Sequence, residues 1–224
     1  VNEELDSPET VEEARRIQGI LAAKVEIIPF RSEVGYIAGV DAAFSSTRVF
    51  AAACLFSYPG LEPVEDALAQ TAMRFPYISG YLSFREGPAI MLAVRRLSTK
   101  PDLILVDGQG IAHPRGIGIA SHIGVLLDMP TIGCAKSRLC GEFVEPDGGK
   151  GERSLLRYRD KVVGAVLRTR AGVRPLFISP GHRVDLETSV EIALAATRRF
   201  RIPEPLRRAD ILSKRARAGP NYRL

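Results

Sequence analysis

At 224 residues the chain is long enough for one domain, or for one domain with an elaborated insertion. It is 46% hydrophobic and 25% charged, enough for a sizeable core, and it lacks tryptophan, so aromatic chemistry falls to Phe and Tyr. A net charge of +5 favours polyanionic partners such as nucleic acid, while three scattered cysteines (Cys54, Cys134, Cys140) exclude a disulfide framework and a CxxC metal site.

The segment from Val1 to Arg16 is acidic and polar, unlike a secretory signal, and no apolar run is long enough to span a bilayer. A soluble, cytoplasmic protein without membrane contact is therefore expected. Ser7-Pro8-Glu9-Thr10 reads as a helix N-cap followed by proline at the first helical position, with the helix running to about Lys24. Tyr36 to Phe44 and Arg48 to Tyr58 read as adjacent strands joined at Ser45-Ser46-Thr47, and Pro63 to Met73 as a weaker third. A helix over Pro88 to Leu97 places Ile90, Val94 and Leu97 on one face. Leu103 to Val106 is apolar on both faces, the pattern of a strand inside a parallel sheet. A glycine-rich loop, a helix near Ile119 to Leu127 and a short buried strand at Thr131 to Ala135 follow. Gly141 to Gly151 reads as a surface loop, Lys161 to Arg170 and Leu176 to Ser179 as strands, and Asp185 to Arg199 as a helix. Last comes a basic stretch, Arg198, Arg199, Arg201, Arg207, Arg208, Lys214, Arg215, Arg217 and Arg223, which reads equally as a nucleic-acid face or a solvated helix face. The order predicts a single α/β domain over residues 1–224, a mixed β-sheet with helices on its faces, the layout of a ribonuclease H-like fold.

Three acids stand where charge is costly. Asp41 lies late in the small, apolar strand Ile37 to Ala42, either paired or metal-bound, or turned to solvent at a strand end. Asp107 ends the buried run and opens Asp107-Gly108-Gln109-Gly110, beyond the carboxyl end of a strand where α/β sheets gather ligands, although an Asp-Gly turn has the same look. Glu86 could close a capping box on Ser83. That would bury Pro88 inside a helix, so the helix is expected to start at Pro88, with the Glu86 carboxylate free to enter a site. Converging carboxylates hold hard divalent cations, and such ions activate water for phosphodiester hydrolysis.

Six segments occur together and in order: Gly39-Val40-Asp41; Pro76-Tyr77-Ile78-Ser79-Gly80; Phe84-Arg85-Glu86-Gly87-Pro88; Val106-Asp107-Gly108-Gln109-Gly110 with Ala112-His113-Pro114-Arg115; Ser121-His122-Ile123-Gly124; and Ser179-Pro180-Gly181-His182-Arg183. In this the chain resembles the endonuclease V family, from about Arg31 to Asp210. The resemblance implies a DNA repair endonuclease that binds DNA containing deoxyinosine and cuts the second phosphodiester 3′ to the lesion, leaving 3′-hydroxyl and 5′-phosphate ends. It implies Asp41, Glu86 and Asp107 as carboxylates for Mg²⁺ (or Mn²⁺), with Asp210 as a more variable metal position that the residues alone would assign to a helix surface. It places Lys136 near the scissile phosphate, Tyr77 in a wedge loop stiffened by Pro76, and Gly80, Gly108, Gly110 and His113 around a flipped base. Ser79 departs from the commonest wedge pattern, which has a second proline there. His122 is expected to pack beneath the site, and Ser179 to Arg183 to precede a helix whose amides could hold a phosphate. The partners implied are nucleic acids, with inosine-containing RNA or single-stranded DNA as alternative substrates, and a monomer is the expected form. A non-catalytic binder of damaged DNA is the rival from another class. A zinc deaminase is excluded by the absence of H-x-E and P-C-x-x-C.

Overall fold

The computed structural model describes residues 8–219. In chain order the elements are α1 (Val11–Ala22), β1 (Tyr36–Phe44), β2 (Arg48–Ser57), β3 (Pro63–Ala72), α2 (Leu82–Arg95), β4 (Leu103–Val106), α3 (Ile119–Leu127), β5 (Thr131–Ala135), β6 (Arg153–Tyr158), β7 (Lys161–Leu167), β8 (Leu176–His182), α4 (Leu186–Ala195) and α5 (Glu204–Ala218). One eight-stranded sheet runs β3-β2-β1-β4-β5-β8-β7-β6. Only β1–β4 and β4–β5 pair in parallel, and the other pairs are antiparallel. The carboxyl ends of β1, β4 and β5 therefore share one edge of the sheet.

The period of two along a strand decides what meets what. Ile37, Leu103 and Leu105 face α4 and α5, packing with Val190, Leu206 and Ala209. Ala38, Val40, Ile104 and Val106 face α2 and α3, packing with Ala89, Ile90 and Ile123. With helices on both faces, β4 is wholly buried, which is why its run is apolar without alternation. Each such Leu or Ile contributes about 1.5–3 kcal/mol by leaving water. At Gly39 the sheet lets α5 approach closely: a Cβ there would lie 2.2 Å from the Pro205 carbonyl carbon.

Several elements begin elsewhere than the sequence suggests. α1 starts at Val11, with the Thr10 side chain accepting from the Glu13 amide. Ser7, the expected cap, lies outside the described residues. α2 starts at Leu82 and carries both Glu86 and Pro88 inside it, so neither the helix start at Pro88 nor the capping box on Ser83 holds. Nine buried α2 residues pack against the sheet and α3, and that packing outweighs the backbone donor lost at proline. Ser179 to His182 does precede a helix, α4, whose N-cap is Asp185. It is itself the buried end of β8, paired with β5, rather than a loop at the helix N-terminus. The unforeseen strand β6 pairs with β7 through a turn at Arg159 and Asp160, both at positive φ, without the Asn-Gly or Asp-Gly signal that such turns usually show.

Candidate active site

The parallel strands place the chemistry. Asp41 has the strand parity of Ile37 and Gly39, and so faces α5. Asp107 immediately follows β4, and Lys136 immediately follows β5. α5, held against Gly39, brings Asp210 over the same edge. One carboxylate oxygen each from Asp41, Asp107 and Asp210 lie within 4.8 Å of one another. Lys136 Nζ donates to Asp107 Oδ2 and stands 3.9 Å from Asp210 Oδ1, and Lys214 Nζ is 2.7 Å from the Asp210 carboxylate.

Crowding like charges has a cost. Burial, then the charges of Asp107 and Asp210, push the Asp41 carboxyl up to about 8, against the opposing pull of Lys136 and the Ala42 amide. Burial and the Asp107 charge likewise push Glu86 up to about 8. Glu86 comes from α2, on the opposite face of the sheet, is 7% exposed, and its carboxylate has no hydrogen-bond partner among the described residues. It stands beside the three aspartates rather than within their cluster. Burial disfavours the Lys136 ammonium, but Asp107, Asp41 and Asp210 together hold its pKa above the usual lysine value. All four carboxylates offer hard oxygen donors, and a divalent cation among them would offset the repulsion that burial magnifies. The donor set fits Mg²⁺ or Mn²⁺ and, having no His or Cys, does not fit a soft-metal site.

Beside the cluster opens a cleft of about 320 Å³, lined by Tyr77 to Gly80 on one wall and by Asp107, Gly108, Gln109 and His113 on another, with Lys136 at its edge. Tyr77 is 68% exposed, which excludes a core-packing role. Gly80, at φ +81°, turns its carbonyl to three donors: Gln18 Nε2 at 2.8 Å, Arg115 NH2 at 2.8 Å and His113 Nε2 at 3.0 Å. His113 Nδ1 accepts from the Arg115 amide at 3.1 Å, so the ring is the neutral Nε2–H tautomer. Burial and the neighbouring Arg115 push its pKa down to about 4. Gly108 lines the cleft, whereas Gly110 lies behind the wall, its amide donating to Ser179 Oγ at 2.7 Å. Gln109 Nε2 ties the β4 loop to the Ser137 carbonyl after β5 at 2.9 Å. His122 is buried edge-on to Phe84 beneath the site, and burial pushes it down to about 3.

Two residues that hold the cleft loop, Arg115 and Gln18, carry no site assignment from the sequence. Arg115 was visible only as part of a motif. Gln18 had a signal: it occupies the buried stripe Ala14, Ile17, Gln18, Leu21, where a polar side chain needs a partner. The basic C-terminal stretch is not a continuous bare face either. Arg201 donates to the Pro175 and Lys136 carbonyls, Arg207 pairs with Glu204 and Arg208 with Asp66, while Arg223 lies outside the described residues.

A ribonuclease H-like sheet with an acidic cluster at the carboxyl edge of its parallel strands defines a nuclease-type α/β protein. The model of the endonuclease V family matches residues 20–211, and the chain belongs to that family. An endonuclease V of Methanothrix thermoacetophila is 53% identical over 207 residues, covering 92% of each chain. The crystal structure of endonuclease V from Streptomyces avermitilis superposes with a TM-score of 0.90 at 41% identity, covering 94% of each chain. That of Ciona intestinalis endonuclease V, in complex with a 24-mer DNA containing an inosine followed by a ribo-adenosine, gives 0.82 at 28% identity, covering 94% of this chain and 99% of that one.

Proposed function

We propose that this protein hydrolyses DNA at the second phosphodiester 3′ to a deoxyinosine, leaving a 3′-hydroxyl and a 5′-phosphate. The observation that carries the reading is the adjacency of the Asp41, Asp107 and Asp210 cluster to a cleft walled by an exposed Tyr77 and a neutral, buried His113. Asp41, Asp107 and Asp210, with Glu86 beside them, would hold Mg²⁺ or Mn²⁺. When bound, the ion supplies Lewis acidity and lowers the pKa of the attacking water. Lys136, kept protonated by its acidic neighbours, stabilises charge developing on the phosphate. The extruded hypoxanthine enters the cleft, which Gly108 leaves open and His113 borders without adding charge. Hypoxanthine lacks guanine's exocyclic amine, so a close-fitting wall can select it. Tyr77 occupies the space that the base leaves in the stack.

The test is cleavage of a duplex carrying one deoxyinosine, with and without Mg²⁺, with the product ends mapped. An intact duplex in Mg²⁺, or 5′-hydroxyl ends, refutes the reading. The Ciona complex, in which a ribonucleotide follows the inosine, favours an RNA variant of the same chemistry as the second reading. Competition between matched DNA and RNA substrates separates the two.

A further inference from the structure

A groove of about 500 Å³ runs between α5 and the β2–β3 turn, outside the site described above. Five arginines line it, Arg198, Arg199, Arg207, Arg208 and Arg215, against the two acids Glu62 and Glu204. The acids are spoken for. Glu204 Oε2 holds Arg207 Nε at 3.1 Å, and Glu62 stands 3.9 Å from Arg198. Arg208 is fixed from outside the groove by Asp66, at 2.7 and 3.0 Å from its Nε. Arg199 and Arg215 have no acidic partner among the described residues, so the groove keeps uncompensated positive charge. Between the arginines stands Phe200, 46% exposed, with the Arg207 guanidinium 4.3 Å from its ring centroid.

Arginines interleaved with an exposed aromatic ring suit one ligand chemistry: phosphates for the guanidiniums and a planar base for the ring. A duplex would present only its phosphates here, because its bases are stacked and paired, and would leave Phe200 without a role. α5 links this surface to the acidic cluster. Arg207, Ile211 and Arg215 follow one another on the groove face, covering about 12 Å at 1.5 Å per residue, and Asp210 lies on the adjoining face of the same helix.

We propose that this groove is a second nucleic-acid site, binding an unpaired stretch of strand through Arg199 and Arg215 and stacking one base on Phe200. The proposal rests on the reading that the protein acts on nucleic acid. The probe is a labelled 16-nucleotide oligo-dT followed by fluorescence anisotropy in EDTA, with a duplex of equal length and polyglutamate as comparators. The double variant Arg199→Glu/Arg215→Glu is expected to weaken oligo-dT binding about tenfold or more and to flatten its log–log salt slope by about 1.4, for two phosphate contacts. Phe200→Ala should weaken it about fivefold or more while leaving duplex binding unchanged, and Phe200→Tyr should retain it. All three variants should nick a short deoxyinosine duplex at the parental rate at saturation. Parental oligo-dT affinity in the double variant overturns the proposal. So does polyglutamate that displaces oligo-dT with indifference to Phe200, which would make the groove an acidic-peptide site. If the parent does not nick deoxyinosine duplex yet these variants still lose oligo-dT binding, the nuclease reading fails and the groove stands.

Discussion

Lys136 draws its charge from acids on three different elements, Asp41 on β1, Asp107 after β4 and Asp210 on α5, so its role is local and its removal should be too. Lys136→Ala is expected to lower kcat by about 10²–10³ with little change in lesion binding, as for other donors to developing negative charge. A rate within threefold of the parent would remove it from the reaction. The two buried histidines make a separate prediction about pH. Unfolded, each titrates near 6.5, whereas in the fold His113 and His122 are pushed down to about 4 and about 3. Between pH 6.5 and 4 the unfolded chain takes up protons on these two rings that the native state refuses, so each ring subtracts up to about 1.4 kcal/mol of stability per unit as the pH falls, against the opposite contribution of Asp41 and Glu86, which are pushed up to about 8. Urea unfolding of the parent and of His122→Leu, each at pH 7 and pH 5, isolates the share of one ring. Relative to the parent, His122→Leu should be more stable at pH 5 than at pH 7 by about one proton's share, and a pH response identical to the parent's would mean that His122 is already charged in the native protein.

At the scale of elements, the site depends on how closely α5 can lie on β1. The Cβ of Gly39→Ala would meet the Pro205 backbone at 2.2 Å, and no side-chain rotation relieves a backbone contact. The helix must move, taking Asp210 with it. We expect a loss of about 1–3 kcal/mol in stability, together with a weaker metal affinity that Ala51→Gly, on neighbouring β2, does not reproduce. Parental metal affinity in Gly39→Ala would show that Asp210 does not contribute to the metal site. The loop before α2 is the other element under test. Its Gly80 carbonyl is clamped by Gln18, Arg115 and His113, while Tyr77, three residues earlier, stands exposed. Tyr77→Ala should slow cleavage of deoxyinosine in duplex more than in single-stranded DNA, because only the duplex loses stacking when the base leaves. Ile78→Ala is the control. Its side chain packs partly buried against the α1 cluster, and it should affect both substrates alike. Equal losses for Tyr77→Ala in the two contexts would refute the wedge.

For the whole molecule, a cation that binds the folded cluster and not the unfolded chain stabilises the fold by mass action, by about 2.7 kcal/mol at a hundredfold excess over Kd. Mg²⁺ should therefore raise the Tm, EDTA should reverse the rise, and Asp107→Ala should abolish it without any assay of cutting. A shift that persists in Asp107→Ala would place the ion elsewhere. Much of this architecture was legible beforehand. β1, α3 and β5 have the bounds that periodicity assigned, because their signals are local: alternation, continuous burial, and flanking turn residues. Local pattern alone specifies the strand that carries Asp41, the strands that Asp107 and Lys136 follow, and the ordered motifs that mark the family. Whether Asp210 belonged to a surface or to a cluster, whether Glu86 lay before a helix or inside one, and that Gln18 holds the cleft loop were decided only by the tertiary structure. The reason is physical. Asp41, Asp107 and Asp210 are distant in sequence and meet only because a parallel strand pairing brings the first two, and a helix packed on Gly39 the third, to one edge, and Pro88 tolerates a helix only because the buried face around it supplies more free energy than its missing donor costs.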